Sequence, residues 1–317
     1  MAFFTTSSSR TVEQRALIAL GVVSIVWGTT WIATKTAVNH MPPIQMAGLR
    51  QCIAGLIYIA YFMYKGVGFP RGRSWIPILW LALLNFTLSN ALSTWGLRYI
   101  TAGLGAIIGA IFPLWLVLIG LGRHKDKLSP KAITGLILGF GGICIIFYEH
   151  IYDFLIPDFR LGILLSLCAT WAWAFGTLYT KEHAIQFNPY FGIGLQMFIS
   201  GLFILLVSKL SGLSIAVTSI PLPAWGAIAF LVLISSVATF IAYLYALQHL
   251  PTSLVSVYAY INPIVAVFCG WLIFGEKLTP FIISGMLVTI FGVYMVNQAF
   301  QTKKSHVSSS SSPGDMA

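Results

Sequence analysis

Hydrophobic residues run along this chain in long blocks parted by short polar breaks. The blocks fall at 16–38, 44–64, 75–95, 101–122, 130–148, 161–180, 189–208, 224–247, 252–274 and 280–299. About 20 helical residues cover the roughly 30 Å of hydrocarbon in a bilayer, so each block is long enough to cross. The pattern predicts an all-α integral membrane protein with ten transmembrane helices. The breaks carry turn residues, as in Met41-Pro42-Pro43, Asn188-Pro189 and Pro221-Leu222-Pro223. Residues 1–15 are mostly polar and lead straight into a full-length block, unlike the short apolar core of a cleaved secretory signal, and are expected to remain as a cytoplasmic segment. Residues 300–317 hold Lys303, Lys304 and a serine run and are expected to form a disordered cytoplasmic tail.

Shifting the chain on itself by 150 positions lays 252–296 on 102–146 without a gap. Pro263 falls on Pro113, Lys277-Leu278 on Lys127-Leu128, Gly285 on Gly135 and Gly292 on Gly142. Trp225 falls on Trp75 at the same offset. The earlier blocks match at 146, with Trp27 on Trp173, Thr34-Lys35 on Thr180-Lys181, Pro43 on Pro189 and Gly55-Leu56 on Gly201-Leu202. The chain is thus two copies, 16–148 and 161–299, of a five-crossing unit. An odd number of crossings turns the second copy over, so the repeats are expected to be inverted. Pro113 and Pro263 each remove an amide donor inside a block and free the carbonyl one turn earlier, of Gly109 and Ala259. Interrupted helices at matching places in two halves point to a transporter's central site, with the prolines as helix breaks or hinges.

Composition agrees on the solvent. The chain is 58% hydrophobic and 8% charged, too little charge for a soluble surface of 317 residues. Its net charge of +10 sits in short loops, where it orients a membrane protein, and nucleic acid is excluded as a partner. With the amino terminus inside, twelve of the eighteen Lys and Arg fall on the inner side. Both termini are therefore expected to be cytoplasmic, in a multi-pass protein of the inner (plasma) membrane.

Cys52, Cys144, Cys168 and Cys269 lie in four different blocks without paired spacing, and the histidines are scattered, so no metal or cofactor is expected. No nucleophile triad, HExxH or phosphate loop occurs in a usable context, and no catalytic residue is assigned.

Two five-helix repeats, each with a mid-helix proline, a short acid-bearing turn (Phe274-Gly275-Glu276-Lys277-Leu278-Thr279) and a glycine-punctuated last helix, resemble the EamA family of the drug/metabolite transporter superfamily. The run Trp27-Gly28-Thr29-Thr30-Trp31 is similar to that family's opening helix. The first copy departs at Arg123-His124-Lys125-Asp126, where the second has Ile273-Phe274-Gly275-Glu276. The resemblance implies a ten-helix inner-membrane carrier exporting amino acids, related metabolites or toxic compounds.

Polar side chains at membrane depth need a reason, which packing or function can supply. Asn85, Ser89 and Asn90 lie mid-block, the first two on one helical face. Tyr258 and Asn262 share that spacing just before Pro263. Tyr243 and Gln196 add polar groups in two further blocks. For Asn262 and Asn85, a hydrogen bond to cargo competes with one to a neighbouring helix or loosened backbone. Trp27 and Trp173, at equivalent repeat positions, could line an apolar pocket, although most membrane aromatics pack or sit at interfaces. Arg50 and Lys35 either snorkel to water or pair with a carboxylate of the cargo. No Asp or Glu lies mid-block, which favours neutral, zwitterionic or anionic cargo. The expected partners are a small-molecule solute and the lipid bilayer, with a homodimer left open. The expected function is export of small organic solutes by alternating access. A non-transporting sensor or scaffold and an exporter of hydrophobic toxic compounds are the alternatives.

Overall fold

The structure is a computed structural model that describes residues 5–123, 129–182, 187–250, 252–255 and 257–310. Helices make up its regular structure, and no strand occurs among these residues. In order, α1 is Thr5–His40, α2 Pro43–Tyr64, α3 Gly72–Gly96, α4 Ala102–Ala110, α5 Phe112–Arg123 and α6 Pro130–Glu149. The second half gives α7 Pro157–Glu182, α8 Pro189–Leu210, α9 Leu222–His249, α10 Thr252–Val255, α11 Tyr258–Phe274 and α12 Pro280–Ser310. Lipid offers backbone groups no hydrogen bonds, so an apolar block satisfies them within itself as helix. Local signals set the starts. Proline stands in the first turn of α2, α6, α8 and α9, where its missing amide interrupts no helical bond. The Ser129 and Asn188 side chains accept from the first free amides of α6 and α8.

Among the described residues, eight helices are long and apolar enough to cross a membrane. The other two expected crossings are each divided. Block 101–122 parts into α4 and α5 at Ile111 (φ −80°, ψ −2°), two residues ahead of Pro113, whose ring would meet the Gly109 carbonyl in an unbroken helix. Block 252–274 divides elsewhere than expected. The chain turns at Val257, and Pro263 is carried inside α11 rather than breaking it. A membrane helix tolerates an internal proline where a neighbour packs on the loosened turn. Here α1 does so, with the Asn262 carbonyl 3.2 Å from where a β-carbon on Gly28 would stand.

Two further departures concern helix winding and length. The middle of α3, Ala82–Asn90, and of α9, Phe230–Ala238, is π-helical, a form found mostly as short insertions, frequently at functional sites. The last helix continues to Ser310, so residues 300–310 are helical where a disordered tail was expected. Extending an existing helix adds one bond per residue without the nucleation cost that a separate segment would face. Residues 311–317, and the first copy's acid-bearing turn with Asp126, lie outside the described residues.

The two halves interleave. The broadest contacts are α6 with α12 and α2 with α8, and in both pairs the partners are repeat equivalents. Three further pairs recur across the offset: α1 with α9 as α7 with α3, α1 with α11 as α7 with α4 and α5, and α2 with α9 as α8 with α3. Matched glycines make the closest crossings. A β-carbon on Gly55 would stand 2.4 Å from the Phe198 amide nitrogen, and one on its equivalent Gly201 would stand 2.3 Å from that of Cys52. Backbone meets backbone there, so no larger residue fits.

Candidate functional site

A cavity of about 230 Å³ lies where the halves meet. From α1 it takes Trp27, Thr30, Trp31 and Thr34, and from α7 Ser166, Ala169, Thr170 and Trp173. Both sets step by three, one and three residues, one face of a helix. The π-segment of α3 supplies Asn85, Phe86, Ser89 and Asn90, its last turns add Ser93 and Thr94, and Leu97 follows just beyond its end. Arg50 and Gln51 enter from α2, Met197 from α8, Ser236 and Phe240 from α9, and Tyr258, Ala259 and Asn262 from α11. Gly109 and Ala259, each four residues ahead of one of the two prolines, both line it. Trp31 spreads over Gly105 and Gly109. Its ring carbons stand 3.2 and 2.8 Å from where β-carbons on these glycines would be, so the pair seats a side chain rather than a second backbone.

Arg50 is buried, at 7% exposure. Its Nε donates to Ser236 Oγ (3.0 Å) and an Nη to Ser235 Oγ (3.2 Å), and no carboxylate pairs with it among the described residues. A buried cation held only by neutral hydroxyls keeps its charge uncompensated. The serines are aimed at it by the π-segment of α9, whose carbonyls side chains from other turns and helices satisfy. Thr239 Oγ1 donates to Ile234 O (2.7 Å), Trp27 Nε1 to Ser235 O (3.4 Å) and the Tyr58 hydroxyl to Val237 O (3.0 Å). Thr30 shares a hydrogen bond with Ser235 (2.8 Å), tying α1 into the same network. In α3, Asn85 turns its Oδ1 onto Gly176 of α7.

The cavity is bounded differently at its two ends. Toward the start of α1, Trp27 lies 5.1–5.2 Å, ring to ring, from Phe240, Tyr243 and Tyr258. Below this cluster Ala16, Leu20, Ala246, Leu250 and Val255 are buried together. At the 150 offset Phe240 and Tyr243 answer to Asn90 and Ser93, so one half places rings where the other places small polar groups.

At the opposite end, Lys35 Nζ donates to the carbonyls of Leu97 and Ile100, each at 2.7 Å, while Arg98 donates to that of Val38 (2.7 Å). Each cation thus closes the carboxyl end of the other's helix. Gly275, left-handed at φ 66°, ends α11 and turns the chain so that the Glu276 carboxylate accepts from the amides of Ala102 (2.7 Å) and Gly103 (3.0 Å) at the start of α4. The neighbouring acids are also engaged, Glu149 by Thr279 and Asp153 by His150.

Of the residues singled out from sequence, Asn262, Tyr258, Asn85, Asn90, Trp27, Trp173 and Arg50 line the cavity. Tyr243 stands behind Trp27 in the aromatic cluster, Gln196 is buried in α8 near Gly192, and Lys35 is engaged at the rim. Sequence reasoning passed over Gln51, Thr30, Thr34 and the Ser235–Ser236 pair. Gln51 carried a signal, being a second polar residue at membrane depth beside Arg50. Among the described residues no three of His, Cys, Asp and Glu come together as metal ligands.

The model of the EamA-like transporter family matches twice, at residues 14–148 and 160–298. Two relatives are an uncharacterized transporter, YvbV, of Bacillus subtilis, 26% identical over 92% of this chain and 94% of its own, and an uncharacterized inner membrane transporter, YedA, of Escherichia coli K12, 27% identical over 88% and 89%. A solved crystal structure shares the fold with a TM-score of 0.63 at 16% identity, covering 90% of this chain and 97% of its own. With both halves matched and relatives along nearly its whole length, this multi-pass, all-helical membrane protein belongs to the EamA-like transporter family.

Proposed function

We propose that the protein exports small organic solutes, such as amino acids or related metabolites, by alternating access through the cavity between two inverted five-crossing repeats. The observation that carries this reading is the buried, uncompensated guanidinium of Arg50 facing a cavity otherwise walled by rings, hydroxyls and amides. Such a site suits a carboxylate attached to an apolar body, since a guanidinium matches the two oxygens of a carboxylate and ring faces take the rest. With no acid lining the cavity among the described residues, the cargo is neutral, zwitterionic or anionic.

Inverted repeats supply the motion. The recurrence of contacts across the offset supports two bundles that can exchange conformations, and the aromatic cluster around Trp27 is the closure that exchange would open. In the orientation with both termini inside the inner membrane, that cluster faces the cytoplasm and the Lys35–Arg98–Glu276 rim faces outward. The ring-rich wall of Trp31, Trp173, Phe86 and Phe112 supports a second reading, export of hydrophobic toxic compounds. Comparing extracellular metabolites from cells with and without overexpression separates the two. Accumulation of a narrow set of carboxylate-bearing solutes supports the first. An unchanged medium with raised tolerance to apolar toxins supports the second.

A further inference from the structure

Five buried side-chain polar atoms have no hydrogen-bond partner among the described residues, and four of them belong to amides of the central cavity: the carbonyl oxygens of Gln51, Asn85, Asn90 and Asn262. The fifth, the Thr289 hydroxyl, is wedged against Gly142 in the seam between α6 and α12. Asn85 turns its oxygen onto Gly176, but a buried acceptor without a donor is unfavourable, and the other three gathered in one cavity define a site that a donor-bearing ligand would complete. Gln51 is the most enclosed of them, at 1% exposure. An amide can turn either edge toward a ligand, so these side chains adapt to N–H groups arriving at slightly different places.

The repeat offsets sharpen the pattern. Gln51 answers to Met197, Asn90 to Phe240 and Asn262 to Phe112, and both members of every pair line the cavity. At these three positions one copy presents an amide and the other a bulky apolar side chain, whereas Asn85 answers to the small polar Ser235. A cavity of that kind fits a molecule with one polar and one apolar end. Arg50 and Gln51 are neighbours on α2, so a group that suits a carboxylate and a group that accepts from N–H reach the cavity side by side, as the two polar groups of an α-amino acid do.

Resting on the reading of this cavity as the cargo site, we propose that Gln51, together with Asn90 and Asn262, determines specificity by accepting from the ammonium of a zwitterionic cargo whose carboxylate is held by Arg50. A lone ammonium would find no countercharge among the described residues of this cavity. One that carries its own carboxylate alongside is neutral overall and needs only acceptors. The site then rejects cargo lacking either group, because the unmatched amides or guanidinium stay buried and unpaired.

Binding to the purified full-length protein in nanodiscs tests this with three molecules of one carbon skeleton: leucine, isocaproate, which lacks the ammonium, and isoamylamine, which lacks the carboxylate. The expected result is leucine binding on the order of tenfold more tightly than either analogue. Gln51→Met should abolish the preference for leucine over isocaproate while leaving isocaproate affinity within about twofold. Asn90→Leu repeats the test should the first variant fail to elute as a folded protein. Equal wild-type affinity for leucine and isocaproate overturns the proposal, as does a parallel loss of both in the variants, which would make the amides packing residues. Binding of none of the three also overturns it. The carrier reading would stand or fall separately on the metabolite comparison above.

Discussion

The amide of Asn85 occupies the space that a side chain on Gly176 would need: a β-carbon built on Gly176 stands 1.8 Å from Asn85 Oδ1. At the repeat offsets this contact between α3 and α7 corresponds to that of Ser235 with Thr30, where a small serine on the π-segment meets a hydroxyl of α1. The two halves solve the same crossing in opposite ways, a large polar group against glycine in one and two small hydroxyls in the other. Gly176→Ala should therefore cost about 1–3 kcal/mol through overpacking. Asn85→Ala in the same chain should recover most of that. Melting temperatures of the two singles and the double in nanodiscs provide the check, with a coupling near zero as the contrary result.

Arg50→Gln keeps a hydrogen-bonding side chain beside Ser235 and Ser236 but removes the charge. Transport of carboxylate-bearing solutes should fall by about tenfold or more, with neutral solutes little affected. Arg50→Lys should rescue poorly, because an ammonium cannot span both serines and a carboxylate. Proteoliposome uptake of matched acid and amide solutes distinguishes this from a structural role, which would lower both alike.

Asn262→Ala should abolish transport while membrane expression is kept, since the residue lines the cavity and its backbone, not its side chain, meets α1 at Gly28. Uptake assays normalised to the amount of protein in the membrane settle the point. Uptake equal to that of the unaltered protein would remove Asn262 from the site.

Lys35 belongs to a different class of variant. Its ammonium is spent on the Leu97 and Ile100 carbonyls at the rim, so Lys35→Gln should alter uptake of every solute by the same factor and leave selectivity unchanged. Kinetics for one anionic and one neutral solute test this. Selective loss of the anionic one would return Lys35 to the role of a carboxylate ligand.

Glu276 joins the turn after α11 to the start of α4 through two backbone amides. Replacing it with Ala exposes those donors at a helix amino terminus and should cost about 0.5–2 kcal/mol. A thermal melt of Glu276→Ala that superimposes on the parent would show that the cap does not hold the two segments together.

How much of this was legible in the sequence depends on what each feature changes along the chain. The helical membrane character and the family were legible because apolar runs, Pro113 and Pro263 and the acid-bearing turn recur at fixed offsets. The π-segments were not, because 82–90 and 230–238 have the same apolar character whether wound by four or by five. That winding is what turns Ser235 and Ser236 toward Arg50. Two serines in an apolar run carry no signal of their own. Val257 rather than Pro263 interrupts the ninth block because tertiary packing against α1 decided between two possible places for the break. The residues chosen as site candidates divided along the same line. Those whose helices face the crossing, such as Asn85 and Asn262, line the cavity, while Lys35 and Gln196 have a depth in the membrane that sequence could estimate and a facing direction that it could not.

The central claim is that solute crosses through the cavity around Arg50. It is tested most directly by loading proteoliposomes that hold the purified protein with a mixed extract of small metabolites and following the vesicle contents by mass spectrometry. Vesicles with the unaltered protein should lose a limited set of carboxylate-bearing solutes, and vesicles with Arg50→Gln should retain them. Contents that match those of protein-free vesicles, or a loss that Arg50→Gln leaves unchanged, would contradict it.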